Sequence, residues 1–169
     1  MVYVDRRNFI KSATPEAVAT LLFDAESLIR VLPRMRKAEL FDHHEDGARL
    51  VFYLSLGNLL GTHRFDGMLA RVGSNEVRFF MPRQRTAEIR WIIDPDVEGV
   101  YLRVAMSLEL AALLGPMSHF LPRRMVEDMI ANEIDQAFQE LSHRFEHPST
   151  PNVCPIPQLC LLSPQALLA

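Results

Sequence analysis

Between Arg34 and about Leu114 apolar and polar residues alternate with a period of two. Clusters of turn-forming residues interrupt the alternation at Glu45-Asp46-Gly47, Asn58 to Gly61, Gly73-Ser74-Asn75, Pro82 to Arg85 and Asp94 to Gly99. Successive side chains of a strand point to opposite faces, so the pattern predicts consecutive antiparallel hairpins with one buried face. That face gathers Phe52, Leu54 and Leu56, then Phe65 and Leu69, then Val77, Phe79 and Met81. It continues through Ile89, Trp91 and Ile93 to Leu102, Val104, Met106 and Leu108. The opposite face carries Arg49, Arg64, Asp66, Arg78, Glu88, Arg90, Arg103 and Glu109, whose mixed signs suit cross-strand pairing in water. A sheet that is apolar on one side requires a cover.

The cover is predicted downstream. Gly115-Pro116 ends the last strand, and a helical stretch runs to about His147, with Pro122 tolerated only in the first turn of the main helix. At 100° per residue Val126, Ile130, Ile134, Ala137, Leu141 and Phe145 share one stripe, while Asp128, Asn132, Gln139 and Ser142 point elsewhere. Upstream, Val2 to Ser12 reads as a strand. Thr14 then suits an N-cap, Pro15 the first helical position and Glu16 the positive end of the helix dipole, opening a short helix that ends near Asp24. A second short helix contains Leu28, Ile29 and Leu32 and stops before Pro33.

This order of elements resembles the helix-grip fold of the START-like, polyketide cyclase/aromatase (SRPBCC) superfamily. The residues that carry the likeness are Thr14-Pro15-Glu16-Ala17-Val18, the segment Leu28 to Pro33, the hairpins from Leu50 to Leu110, and the amphipathic helix Arg123 to Phe145. The likeness is architectural and covers residues 1–147. It implies an α+β fold in which a curved antiparallel sheet of six or seven strands wraps around the long C-terminal helix, with two short helices after strand one. It further implies an apolar cavity between sheet and helix; superfamily members bind lipids, quinones, polyketides or hormones, and a minority catalyse cyclisation, dehydration or ring hydroxylation.

The cavity lining expected on that basis is Phe52, Leu54, Phe65, Leu69, Phe79, Met81, Trp91, Ile93 and Met106 from the sheet, with Ile130, Glu133, Ile134, Ala137 and Leu141 from the helix. Methionine and aromatic side chains on such a wall adapt to a ligand of variable shape. Plain core packing is the competing reading of the same residues. Two polar residues are candidates for proton transfer. Glu133 sits at the edge of the helix stripe, where desolvation would raise its basicity, and His63 shares the strand face of Phe65. A stripe-edge Glu that reaches solvent is the commoner case, and His63 reads also as a core or pocket-edge histidine. Arg123 and Glu127 read as an i, i+4 ion pair near the cavity mouth.

Other chemistries find little footing. Of 18 basic residues 16 are arginine, but 21 acidic residues are interleaved with them and the net charge is -3, which disfavours nucleic acid as a partner. Arg71, Arg78, Arg83, Arg85 and Arg90 concentrate positive charge in one hairpin, diluted by Glu76 and Glu88. His143 and His147 have the spacing of helical zinc ligands without a third ligand in reach, so no metal is expected. No phosphate-cradling glycine loop or nucleophile elbow occurs, and no cofactor is expected. The first residues lack the apolar run of an export signal and no apolar stretch is long enough to span a bilayer, so a cytoplasmic location without a transmembrane segment is expected.

Residues 1–147 are expected to form the ligand-binding domain and 148–169 a tail. The tail holds five prolines, no Asp, Glu, Lys or Arg, and a leucine-rich end at Leu159, Leu161, Leu162, Leu167 and Leu168. Such a segment should lie against an apolar surface, either on its own fold or exchanged in a homodimer. Three functions follow in order of preference. The first is a non-enzymatic binder, transporter or sequestering protein for a small hydrophobic molecule such as a lipid, isoprenoid or polyketide. The second is a cyclase or dehydratase acting on a polyketide-like substrate in the same cavity. The third is a structural or oligomerising module whose cavity is filled by its own side chains.

Overall fold

The computed structural model describes residues 1–44, 46–55, 61–82 and 86–147. Its elements are β1 (Val2–Lys11), α1 (Pro15–Leu22), α2 (Ala25–Val31), β2 (Met35–His44), β3 (Gly47–Ser55), β4 (Thr62–Val72) and β5 (Glu76–Phe80). They are followed by β6 (Ala87–Pro95), β7 (Gly99–Leu108), α3 (Leu110–Leu114), a 3₁₀ segment (Gly115–Phe120) and α4 (Arg123–Glu146). All strand pairs are antiparallel in a seven-stranded sheet of order β1-β7-β6-β5-β4-β3-β2. This is the α+β helix-grip arrangement. The tail, residues 148–169, lies outside the described residues, and with it the expected docking or exchange between copies. Leu56, expected on the inner face, lies outside them too.

Local chemistry sets the ends of the helices. The Thr14 hydroxyl accepts from the Ala17 N–H at 3.2 Å with Pro15 in the first turn, and the Asp24 carboxylate accepts from the Ser27 N–H at 2.9 Å to cap α2. Pro122 takes the N-cap of α4, where its missing N–H costs no helical hydrogen bond.

One expectation is corrected here. The last strand stops at Leu108, and Leu110–Leu114 is helical. Leu-Ala-Ala-Leu-Leu has no period-two alternation and consists of two of the best helix formers, and Gly115 ends the turn with φ 56°.

The α4 stripe is buried as expected at Val126, Ile130, Ile134, Ala137 and Leu141, widened by Ala131 and Phe138. The closest approaches of α4 are to β1 and α2, while α1 lies over β5 and β6 and α2 over β2. The short helices therefore fill one end of the sheet's apolar trough, where Val77 of β5 and Ile93 of β6 are fully buried. Toward the other end the residues of α4 from Val126 to Ala137 stand over the sheet with space between them, flanked by Leu32 at the end of α2 and Leu110 of α3.

On the outer face the charges pair diagonally between neighbouring strands. Arg49 forks onto Asp66 at 2.9 and 2.7 Å, Arg90 onto Glu76 at 2.8 and 3.0 Å, and Arg103 holds Asp5. Arg78 reaches Glu88 at 2.8 Å; Arg71, directly across from buried Val77 and so at the rim of the inner face, reaches Glu16 on α1 at 2.7 Å. The arginines of the positively charged hairpin that are described are thus neutralised locally; Arg83 and Arg85 lie outside the described residues.

Hydrogen bonds from Arg103, Arg49 and Arg90 hold the carboxyls of Asp5, Asp66 and Glu76 below their ordinary values of 3.8, 3.8 and 4.5. The Ser27 hydrogen bond does the same for Asp24. A carboxyl depressed in the folded state makes the unfolded chain the better proton acceptor as pH falls. The contribution of these groups to stability is therefore complete above the carboxylate range and lost as pH falls below it. Urea midpoints are expected to be level above about pH 5 and to fall steadily below about pH 4. A midpoint unchanged down to about pH 3 contradicts this.

Candidate functional site

The open end of the trough is a cavity. Its floor is aromatic: Phe65 stands directly across from Phe52, their rings stacked at 4.9 Å and 7°, and Phe79 meets Phe52 edge-on at 5.2 Å and 67°. Leu54, Ala87, Ile89, Trp91, Val104, Met106 and Leu108 extend the floor along β3, β6 and β7, and Leu32 and Leu110 close two sides. The roof is α4, through Val126, Met129, Ile130, Glu133, Ile134 and Ala137. The volume open to the centres of water-sized molecules is about 100 Å³, several times the roughly 10–15 Å³ that one water occupies on that measure.

Among the lining residues two are charged, Arg34 and Glu133, and each answers the other. The Arg34 backbone N–H donates to Glu133 Oε1 at 2.8 Å, and Arg34 Nε stands 3.2 Å from Oε2. The Glu133 side chain is 13 % exposed and that of Arg34 41 %, so the pair runs from the cavity wall outward to solvent. It links the segment between α2 and β2 to the middle of α4. Both carboxylate oxygens are engaged, which makes Glu133 an anchor for Arg34 in this structure.

Ten of the expected lining residues meet in this cavity: Phe52, Leu54, Phe65, Phe79, Trp91, Met106, Ile130, Glu133, Ile134 and Ala137. Leu69 and Ile93 share the inner face but are fully buried in the core toward the filled end of the trough. Met81 follows the end of β5, where its sulfur accepts from the Thr86 hydroxyl at 3.2 Å. Leu141 lies one helical turn beyond Ala137 and lines a smaller void with Leu22, Leu28, Val31 and Phe138. His63 pairs in register with Leu54 and is half-buried, outside the cavity wall. The alternation identified the inner face correctly, whereas the division of that face between core and cavity depends on where α1 and α2 settle.

Nine lining residues stand outside the expected set, Leu32, Ala87, Ile89, Val104, Leu108, Leu110, Val126, Met129 and, the one charged member, Arg34. Its partner is 99 positions away, and the only local signal was its place just after Leu32-Pro33, where the chain must turn from helix to strand. Arg123 and Glu127 do pair, at 2.8 Å. The rings of His143 and His147 lie 5.1 Å apart, and no three His, Cys, Asp or Glu side chains among the described residues come together as metal ligands. No helix among the described residues is long and apolar enough to cross a membrane.

Comparison with solved structures agrees with this architecture. The TTHA0849 protein of Thermus thermophilus superposes with a TM-score of 0.71 at 22% identity, covering 88% of this chain and 99% of that one. A START superfamily protein of Mycobacterium smegmatis gives 0.68 at 15% identity over 87% and 99% of the two chains. The Zhui aromatase/cyclase of Streptomyces sp. R1128 gives 0.66 at 12% identity over 88% and 96%. No protein-family model and no curated protein matches the sequence. The chain therefore has the START-like, SRPBCC fold.

Proposed function

We propose that this chain binds a small hydrophobic molecule, such as a lipid, isoprenoid or polyketide, in the cavity between the sheet and α4. The observation that carries the proposal is the cavity's composition: its walls are apolar except for one ion pair whose members satisfy each other. Enclosing an apolar group there releases its hydration at about 25 cal/mol per Å² and requires no desolvation of an unpaired charge. Proteins of this fold named for lipid transfer and for aromatase/cyclase activity both occur among the similar structures, so the fold is compatible with binding and with turnover. The commitment of both Glu133 oxygens to Arg34 supports binding over proton transfer by that carboxylate.

Trp91, the only tryptophan of the chain, lines the cavity and reports on it directly. Titration with 1-anilinonaphthalene-8-sulfonate is expected to quench Trp91 emission by energy transfer, saturably and at one site per chain. A straight-chain fatty acid should reverse the quenching competitively. Dye binding that leaves Trp91 emission unchanged, or that fatty acid does not displace, contradicts the proposal.

A further inference from the structure

Trp91 stands between two voids. The main cavity and the smaller one share Leu32, Trp91, Val104 and Ala137 in their walls, so the same four side chains separate them. The smaller void, about 20 Å³ on the same measure, lies toward the filled end of the trough under the short helices. Of the four shared residues Trp91 is the largest, and Ala137, on α4, is the smallest. The indole is thus the largest group in the partition, beside Leu32 and Val104, and α4 contributes only an alanine to it.

We infer that Trp91 sets the length of ligand the protein accepts, by closing the main cavity on the side of the smaller void. The inference rests on the binding function proposed above and adds its selectivity. An extended apolar chain entering the main cavity gains contact with each methylene until it reaches the indole, after which further methylenes find no apolar wall. Removing the ring joins the main cavity, the smaller void and the space the indole occupied into one continuous site.

The experiment compares wild type with Trp91→Ala and Trp91→Leu, using saturated fatty acids from octanoate to stearate as competitors of 1-anilinonaphthalene-8-sulfonate and reading the dye's own emission. In wild type, affinity is expected to rise about fourfold per added methylene, the equivalent of about 0.8 kcal/mol, and then to level off. In both variants the rise should continue to longer chains before levelling. Leu keeps apolar bulk at the position, so it carries the test if Ala impairs folding, with a smaller extension expected. Filling the second void by adding Leu28→Phe to either variant should bring the limit back toward that of wild type. Levelling at the same length in wild type and folded variants overturns the inference while leaving the binding function standing. Failure of wild type to bind any member of the series overturns both.

Discussion

Replacing Gly67 by alanine is expected to destabilise the protein by about 2–3 kcal/mol and to weaken ligand binding at the same time. A Cβ at this position would lie 2.5 Å from the Phe80 carbonyl oxygen and 2.7 Å from Cε2 and Cζ of Phe79. The carbonyl belongs to the β4–β5 ladder and cannot retreat without disturbing it, so the adjustable partner is the Phe79 ring. That ring is fully buried, packs edge-on against Phe52 and lines the cavity. Its available direction of movement is into the cavity, so a methyl group added in the middle of β4 is converted into lost ligand volume. Denaturant unfolding and the dye titration, run on the same variant, check both parts. A variant with wild-type stability, or one that is destabilised yet binds as before, contradicts this coupling.

Glu133 offers the second large effect, and two substitutions separate its roles. Glu133→Ala removes the acceptor for the Arg34 backbone N–H and the partner of its guanidinium. The expected cost is about 2–3 kcal/mol, typical of a partly buried charge-assisted hydrogen bond. Glu133→Gln keeps an acceptor oxygen for the N–H and loses only the charge, so its cost should stay near 1 kcal/mol or about half that, because Arg34 is substantially exposed. Under the binding function, Gln should preserve ligand affinity to within a few fold. Loss of a measurable reaction in the Gln variant with folding and binding intact would instead favour proton transfer by this carboxylate.

How far the sequence could be read depends on the range of the interaction involved. Short-range signals were sufficient for Thr14-Pro15-Glu16 at the start of α1 and for the turn at Asp94 to Gly99. The alternation through Phe52, Leu54, Phe65, Phe79 and Trp91 gave the inner face for the same reason. The segment Leu110–Leu114 adjoins the alternating pattern without sharing its alternation, so its helical composition decides its structure. Gly67 did carry a signal, since a glycine inside a strand marks a close approach, but the ring that approaches it belongs to the next strand. Arg34 and Glu133 meet only once the whole chain has folded. Which half of the trough stays open is likewise a property of how α1 and α2 pack, and no periodicity encodes it.

The most direct test of the central claim is native mass spectrometry of the protein isolated from its own host without exposure to detergent. The account predicts a one-to-one complex whose added mass is released into organic solvent and belongs to an apolar small molecule. The recovered molecule should displace 1-anilinonaphthalene-8-sulfonate and restore Trp91 emission in the emptied protein. Bare chain as the sole species, together with an organic extract of the same cells that fails to displace the dye, would contradict it.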